Sequence, residues 1–296
     1  MDCIVIGGGP AGLTAGIYLR RFRRKVAVVD NRSSRARLIP KTHNYPGFAE
    51  GVSGSQLLER LGAQAEAYGV SLIVGDVKRL RRAGGRFEVH LSDRELSAAR
   101  VIIATGLVDK TPATPRLEEA VAAGLVRFCP ICDGFEASDL RIAVLGRSSE
   151  AYGKALFLRT YSKSITLLAL DDSTLEGPIA TELEEAGIVR PVAPVASIDH
   201  GSGAVTVTLA NTECLAFDTL YPVLGCEVRS GLAAALGASH NEIGCLLVDQ
   251  HQQTSVAGLC AIGDVVSDLH QIAFGTGHAT VAAAHLHQTL PRNLKS

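Results

Sequence analysis

Cys3-Ile4-Val5-Ile6-Gly7-Gly8-Gly9-Pro10-Ala11-Gly12 stands almost at the start of the chain and decides how the rest is read. Four apolar residues ahead of a glycine cluster predict a buried strand, and the amphipathic stretch that follows, to about Arg21, predicts a helix. Gly7, Gly9 and Gly12 therefore form G-x-G-x-x-G at a strand-to-helix turn, the context in which that pattern has meaning. Gly7 permits the tight turn, Gly9 lets the backbone approach a diphosphate, and Gly12 lets helix and strand pack closely. The helix N-terminus offers free N–H groups to the anion. A second strand, Lys25–Val29, ends in Asp30, eighteen residues beyond Gly12, where a carboxylate can accept hydrogen bonds from ribose hydroxyls. A dinucleotide is expected here, and the loop alone does not separate FAD from NAD.

The plan recurs within residues 141–172. The strand is Arg141–Leu145, the turn Gly146-Arg147-Ser148-Ser149-Glu150-Ala151, the helix runs to about Thr160, and the strand Ser164–Leu170 leads into Asp171-Asp172. Two βαβ units of one kind predict an α/β fold with two Rossmann-like dinucleotide-binding domains in three layers. Further strands are expected at Ser71–Val74, Phe87–Leu91, Val101–Ala104, Ala204–Leu209 and Thr219–Leu224. The tail Leu259–Asp264 reads as another buried strand and turn, with a helix from near Thr276 to His287. The expected division is one domain over residues 1–112 and 230–296, interrupted by a second over residues 113–229.

Among 296 residues, 47% hydrophobic and 20% charged is the balance of a globular chain and excludes disorder. Lys+Arg 29 against Asp+Glu 30 leaves a net charge of -1, so no whole-protein field attracts nucleic acid. Of the two basic runs, Lys78–Arg82 reads as an exposed hairpin edge. Arg20–Lys25 reads as a solvated helix end or as a docking patch for an acidic redox protein such as ferredoxin. Neither is a nucleic-acid site by pattern. There is no export signal at the start and no apolar run near the roughly 20 residues that cross a bilayer, so a cytoplasmic protein with no membrane partner is expected. Cys3, Cys214, Cys226, Cys245 and Cys260 lie far apart, mostly in apolar runs, and are expected as buried reduced thiols.

Cys129 and Cys132, in Cys129-Pro130-Ile131-Cys132-Asp133-Gly134, differ from the other five cysteines. At i, i+3 on the first turn of a helix both sulfurs share one side and can close a disulfide, and the helix N-terminus favours a thiolate. No second Cys-x-x-Cys follows at metal spacing, so no metal is expected. Asp133 has a plain reading as an acid offsetting the helix dipole.

Gly7–Gly12 with Asp30, Asn44-Tyr45-Pro46-Gly47, Ala104-Thr105-Gly106, Cys129–Gly134 and Gly263-Asp264-Val265 with Gln271 together resemble the thioredoxin reductase family of FAD-dependent pyridine nucleotide-disulfide oxidoreductases, over nearly the whole chain. The resemblance implies FAD as cofactor, bound by Gly7, Gly9, Pro10, Ala11, Gly12, Asp30, Asn44, Ala104, Thr105, Gly106, Gly263, Asp264, His270, Gln271 and Ile272. It also implies that Cys132 is the sulfur beside the flavin, that Cys129 attacks the disulfide of a thioredoxin-like protein, and that Asp133 is the acid/base. A homodimer is implied as well.

Three departures qualify the resemblance. Ser148 occupies the second glycine position of the second loop, where a side chain crowds a diphosphate. Ala169-Leu170-Asp171, followed by Asp172, replaces the His-Arg-Arg cluster with which the family holds a 2′-phosphate, and carboxylates repel that anion. Ordinary NADPH is therefore disfavoured. Asp171 could hold an NADH ribose, or NADPH could use other residues. The preferred reading is that the inserted domain scaffolds the cysteines while electrons arrive from elsewhere, as from ferredoxin. A plant-type cluster lies about 130 mV below thioredoxin, roughly 6 kcal/mol downhill for two electrons. A small-molecule dithiol oxidase using oxygen and a non-enzymatic flavin sensor are the rivals. Finally, His270-Gln271-Ile272 stands where the family shows Arg-Gln-Ala, leaving His270 divided between flavin stabilisation and packing. The helix from Thr276-Gly277 is expected to aim its positive end at the flavin.

Overall fold

In the computed structural model, residues 1–170, 176–201 and 203–295 are described. The opening strand Cys3–Ile6 lies at the centre of a five-stranded parallel sheet, ordered Leu259–Ala261, Arg100–Ile103, Cys3–Ile6, Val26–Asp30, Ser71–Val74. Its continuous apolar run is explained by burial on both faces. Cys3 and Val5 face helices Pro10–Arg21, Gly54–Ala67 and Ile272–Thr289. Ile4 and Ile6 face an antiparallel sheet of Arg79–Ala83, Arg86–His90 and Glu95–Ala98, through Phe87 and Val89. These make three layers. The edge strand Arg79–Ala83 buries Leu80 and exposes its arginines, the hairpin edge expected of that basic run.

The inserted unit repeats the plan. Strands Ile165–Ala169, Ile142–Gly146 and Thr219–Val223 form a parallel sheet, with helix Ser148–Leu158 against it. An antiparallel sheet of Val195–Gly201, Ala204–Leu209 and Cys214–Phe217 covers the other face. The two connections between the units pair with each other, Leu107–Asp109 antiparallel to Cys226–Val228. The chain is an α/β protein of two Rossmann-like units, the second inserted into the first.

Several expectations change. The last helix starts at Ile272, four residues before Thr276, and runs to Thr289. Gly275 lies inside this helix as a close-approach position, where a Cβ would stand 3.3 Å from the Gly263 Cα. In the run Arg20–Lys25, Arg24 is buried, donating through Nε to His287 Nδ1 (3.0 Å), through Nη1 to Pro291 O (2.7 Å) and through Nη2 to His287 O (2.8 Å). Arg20 and Arg21 bond to Tyr68. Much of the supposed docking patch therefore ties the first helix to its neighbours. Cys3, Cys245 and Cys260 are buried, but Cys214 is exposed and Cys226 half-buried. Both of these start short strands at the margin of their sheets, where one side of the strand faces solvent. Asp171 and Asp172 lie outside the described residues. Among the described residues no helix is long and apolar enough to cross a membrane.

Candidate active site

The three loop glycines differ in what a side chain would meet. Gly7 has φ +114°, and a Cβ there would lie 2.2 Å from the Ala104 carbonyl oxygen. A Cβ on Gly12 would lie 1.9 Å from the Gly7 oxygen. Protein backbone forbids a side chain at both positions. On Gly9 a Cβ would meet only Ser34 Oγ, at 3.3 Å, among the described residues. The space in front of Gly9 is a cleft of about 380 Å³. It is lined by Gly7, Gly9, Pro10, Ala11, Asp30, Asn44, Ala104, Thr105, Gly106, Gly263, Asp264, His270, Gln271 and Ile272, and also by Cys129, Cys132 and Asp133. Of the expected site residues, Gly12 alone is outside the wall, packed behind Gly7.

The cleft suits a dinucleotide. Helix Pro10–Arg21 starts at Gly9 with no side-chain cap and no acid in its first turn, so its N–H end faces the cleft unopposed. Asp30 Oδ1 accepts from the Gly8 N–H (3.3 Å) and the Arg32 N–H (3.1 Å), which holds the carboxylate at the strand end. His270 Nε2 is buried in the wall with no hydrogen-bond partner among the described residues, which leaves it available to a ligand or a water in the cleft. The last helix begins at Ile272, so its positive end lies at the cleft rather than a turn further on. Arg35 escaped the sequence reading. It grips Asp109 through Nε (2.6 Å) and Nη2 (2.8 Å) and reaches Asp264 through Nη1 (3.3 Å), tying the cleft to the strand that leads into the inserted unit. An arginine opening the single 3₁₀ turn Arg35–Leu38 sits in an element too short for a periodicity that could have flagged it.

The sulfurs come from the other unit. Cys129 is the N-cap of the short helix Pro130–Asp133, and its Sγ accepts from the Cys132 N–H at 3.2 Å. Cys129 and Cys132 form a disulfide with a Cα–Cα distance of 5.2 Å. Gln271 Nε2 donates to Cys132 Sγ at 3.1 Å and Cys129 Sγ at 3.4 Å. Both oxygens of Asp133 are held, Oδ1 by the Tyr221 hydroxyl (2.9 Å) and Oδ2 by Arg127 Nη1 (3.3 Å). Burial pushes the Asp133 carboxyl above its ordinary value, against the pull of Arg127 and the Tyr221 hydrogen bond. Burial, and the Asp133 charge, likewise push the Tyr221 phenol up. Neither Arg127 nor Tyr221 was expected at the site. The available signal for Tyr221 was a hydroxyl within the wholly buried strand Thr219–Val223.

The second glycine loop is built differently. Gly146 is a packing glycine, where a Cβ would lie 2.6 Å from the Val223 oxygen. Ser148 is buried as the first residue of helix Ser148–Leu158, and Glu150 lies in that helix's first turn. A carboxylate there offsets the positive end that a diphosphate would use.

Known proteins agree with the geometry. The family model for pyridine nucleotide-disulphide oxidoreductase matches residues 1–285. A thioredoxin reductase of Streptomyces clavuligerus is 30% identical over 295 residues, covering 93% of this chain and 90% of that protein. The crystal structure of HlmI superimposes with a TM-score of 0.90 at 32% identity, over 97% of this chain and 92% of that one. A thioredoxin reductase from Streptococcus pyogenes MGAS5005 gives 0.88 at 26% identity, over 97% of each chain. With an open glycine cradle and a disulfide in one cleft, and with these likenesses along its length, the chain belongs to the pyridine nucleotide-disulphide oxidoreductase family, as an FAD-dependent disulfide oxidoreductase of the thioredoxin reductase kind.

Proposed function

We propose that this protein reduces the disulfide of a thioredoxin-like protein through Cys129 and Cys132, taking its electrons from ferredoxin or another donor rather than from ordinary NADPH. The observation that carries this reading is that the Cys129–Cys132 disulfide and the glycine loop Gly7–Ala11 line one cleft. In this reading residues 1–112 and 230–296 hold FAD, residues 113–229 carry the disulfide, and the protein is a cytoplasmic homodimer, as the family resemblance implies. Gly9 leaves the backbone open to the diphosphate, Asp30 meets the ribose hydroxyls, and Asp264, Asn44, Ala104–Gly106 and His270–Ile272 hold the remainder. FAD, when bound, supplies a carrier that accepts electrons singly or in pairs and releases them in pairs.

The dithiol form then performs exchange with this chain's own groups. The Cys129 thiolate attacks one sulfur of the partner's disulfide, forming a mixed disulfide and releasing the other sulfur. Cys132 attacks Cys129 Sγ, which restores the Cys129–Cys132 bond and frees the partner as a dithiol. Asp133, raised by burial, keeps its proton to a higher pH than an ordinary carboxyl and can hand it to a departing sulfur. Against NADPH stand Ser148 and Glu150 at the second helix start.

The test mixes anaerobic, FAD-loaded protein separately with NADPH, NADH and reduced ferredoxin, with oxidised thioredoxin present. Loss of the yellow flavin absorbance and appearance of thioredoxin thiols are expected with ferredoxin. Bleaching by NADPH within milliseconds would overturn the donor assignment. Rapid peroxide formation from a small dithiol, with thioredoxin untouched, would mark an oxidase instead.

A further inference from the structure

We propose that Gln271 is a catalytic residue: its side-chain amide stabilises the thiolate that forms at Cys132 when the disulfide opens, and Asn44 and Thr42 set which end of that amide faces the sulfur. This rests on the reading that the Cys129–Cys132 pair is redox-active. Two electrons and one proton entering the S–S bond break it into one thiol and one thiolate, and the family's flavin chemistry supplies the electrons. A disulfide sulfur is a weak acceptor and a thiolate a strong one. The Gln271 Nε2–Cys132 Sγ contact of 3.1 Å therefore places a donor in advance at the atom where charge develops.

The two ends of a glutamine amide have nearly the same shape, so neighbours must select the orientation. Thr42 Oγ1 donates to Asn44 Oδ1 at 2.7 Å, and Asn44 Nδ2 donates to Gln271 Oε1 at 2.8 Å. Every donor in this relay points toward the sulfurs. Thr42 is buried and exchanges backbone hydrogen bonds with Val52, so the far end is anchored. Gln271 is the extended N-cap of the last helix, which leaves its side chain free of helical packing. Cys129 Sγ has its own donor in the Cys132 N–H, so the effect of Gln271 falls mainly on Cys132.

The experiment uses FAD-loaded protein carrying Cys129→Ser, so that Cys132 remains alone of the pair. The pH dependence of Cys132 alkylation by iodoacetamide is followed by peptide mass mapping, which separates it from the exposed Cys214. Adding Gln271→Leu is expected to lower the thiolate fraction below its pKa about tenfold, an upward shift of roughly one pH unit. Adding Asn44→Asp instead offers Gln271 only an acceptor, so Nε2 turns away and Oε1 faces the sulfur. The same or a larger shift is expected, although residue 44 does not bond the sulfur. Combining the two substitutions should give no more than the larger single effect. An unchanged profile in either single variant overturns the relay. Failure of the wild type to reduce any disulfide would sink the functional reading instead, and the alkylation profile distinguishes the two.

Discussion

Alanine at the three loop glycines should separate folding from cofactor binding. At Gly12 the new methyl carbon would lie 1.9 Å from the Gly7 oxygen, so strand and helix must part. Overpacking of this kind costs about 1–3 kcal/mol. Gly7→Ala adds a left-handed φ of +114°, worth about 1–2 kcal/mol more. Gly9→Ala meets only the movable Ser34 hydroxyl at 3.3 Å, and its φ of -72° suits any residue. Its cost without cofactor is the difference between Gly and Ala at an N-cap, at most about 1 kcal/mol. With FAD, Gly9→Ala acquires a further loss through the cofactor. At a concentration of 100 Kd a ligand stabilises by about 2.7 kcal/mol, and a hundredfold loss of affinity leaves about 0.4 kcal/mol. At about 2–4 °C per kcal/mol, the FAD-dependent rise in melting temperature should shrink from about 5–11 °C to about 1–2 °C in Gly9→Ala. Thermal melts of stripped and FAD-saturated protein give both quantities for each variant. The reasoning is wrong if stripped Gly9→Ala melts as low as stripped Gly12→Ala, or if its FAD-dependent rise is intact.

Tyr221→Phe removes a hydrogen bond that favours the charged Asp133 carboxylate, so the Asp133 pKa should rise further, by up to about one unit. The limb of the kcat/KM pH profile that belongs to this acid should move to higher pH, and the melting temperature at neutral pH should fall by a few degrees because a buried acceptor loses its donor. Arg24→Met should cost about 2–3 kcal/mol, because three charged donors to His287 and Pro291 disappear from a buried site, and urea titration measures it. Arg23→Ala, one residue earlier and exposed, should not lower the urea midpoint by a comparable amount. Burial lowers the His278 pKa, with Asp268 at 3.6 Å opposing. The unfolded chain then binds the extra proton, so this contribution to stability is present above pH about 6.5 and is lost as pH falls through the folded value. Urea midpoints between pH 5 and 8 should fall more gently toward acid in His278→Asn.

The elements the sequence made visible are those whose cause is local. Cys3–Ile6 and Ile142–Gly146 are buried on both faces, so they show as unbroken apolar runs, and each glycine loop follows its strand directly. What it hid depends on partners far away in the chain. Tyr221 meets Asp133 across 88 residues, and Arg35 meets Asp109 across 74 and Asp264 across 229. No periodicity encodes such a meeting. The misplaced start of the last helix has the same origin. Gly275 is weak helix-forming material by intrinsic preference, and the neighbours it packs against, Gly263 and Ala11, are distant in the chain.

That displacement of four residues bears on the chemistry. A helix starting at Thr276 would leave Gln271 in a loop more than a turn away, with no fixed backbone from which to aim its amide. A helix starting at Ile272 makes Gln271 the N-cap, places the positive helix end at the cleft wall, and presents the amide to Cys132 Sγ at 3.1 Å. The close packing of Gly275 on Gly263 and the donor at the sulfur thus belong to the first turn of one helix. A bulky residue at position 275 should disturb the Cys132 thiolate as well as the fold, and Gly275→Val measured by the same alkylation profile tests that link. An unshifted Cys132 profile in folded Gly275→Val protein would show that the relay from Asn44 alone aims the amide.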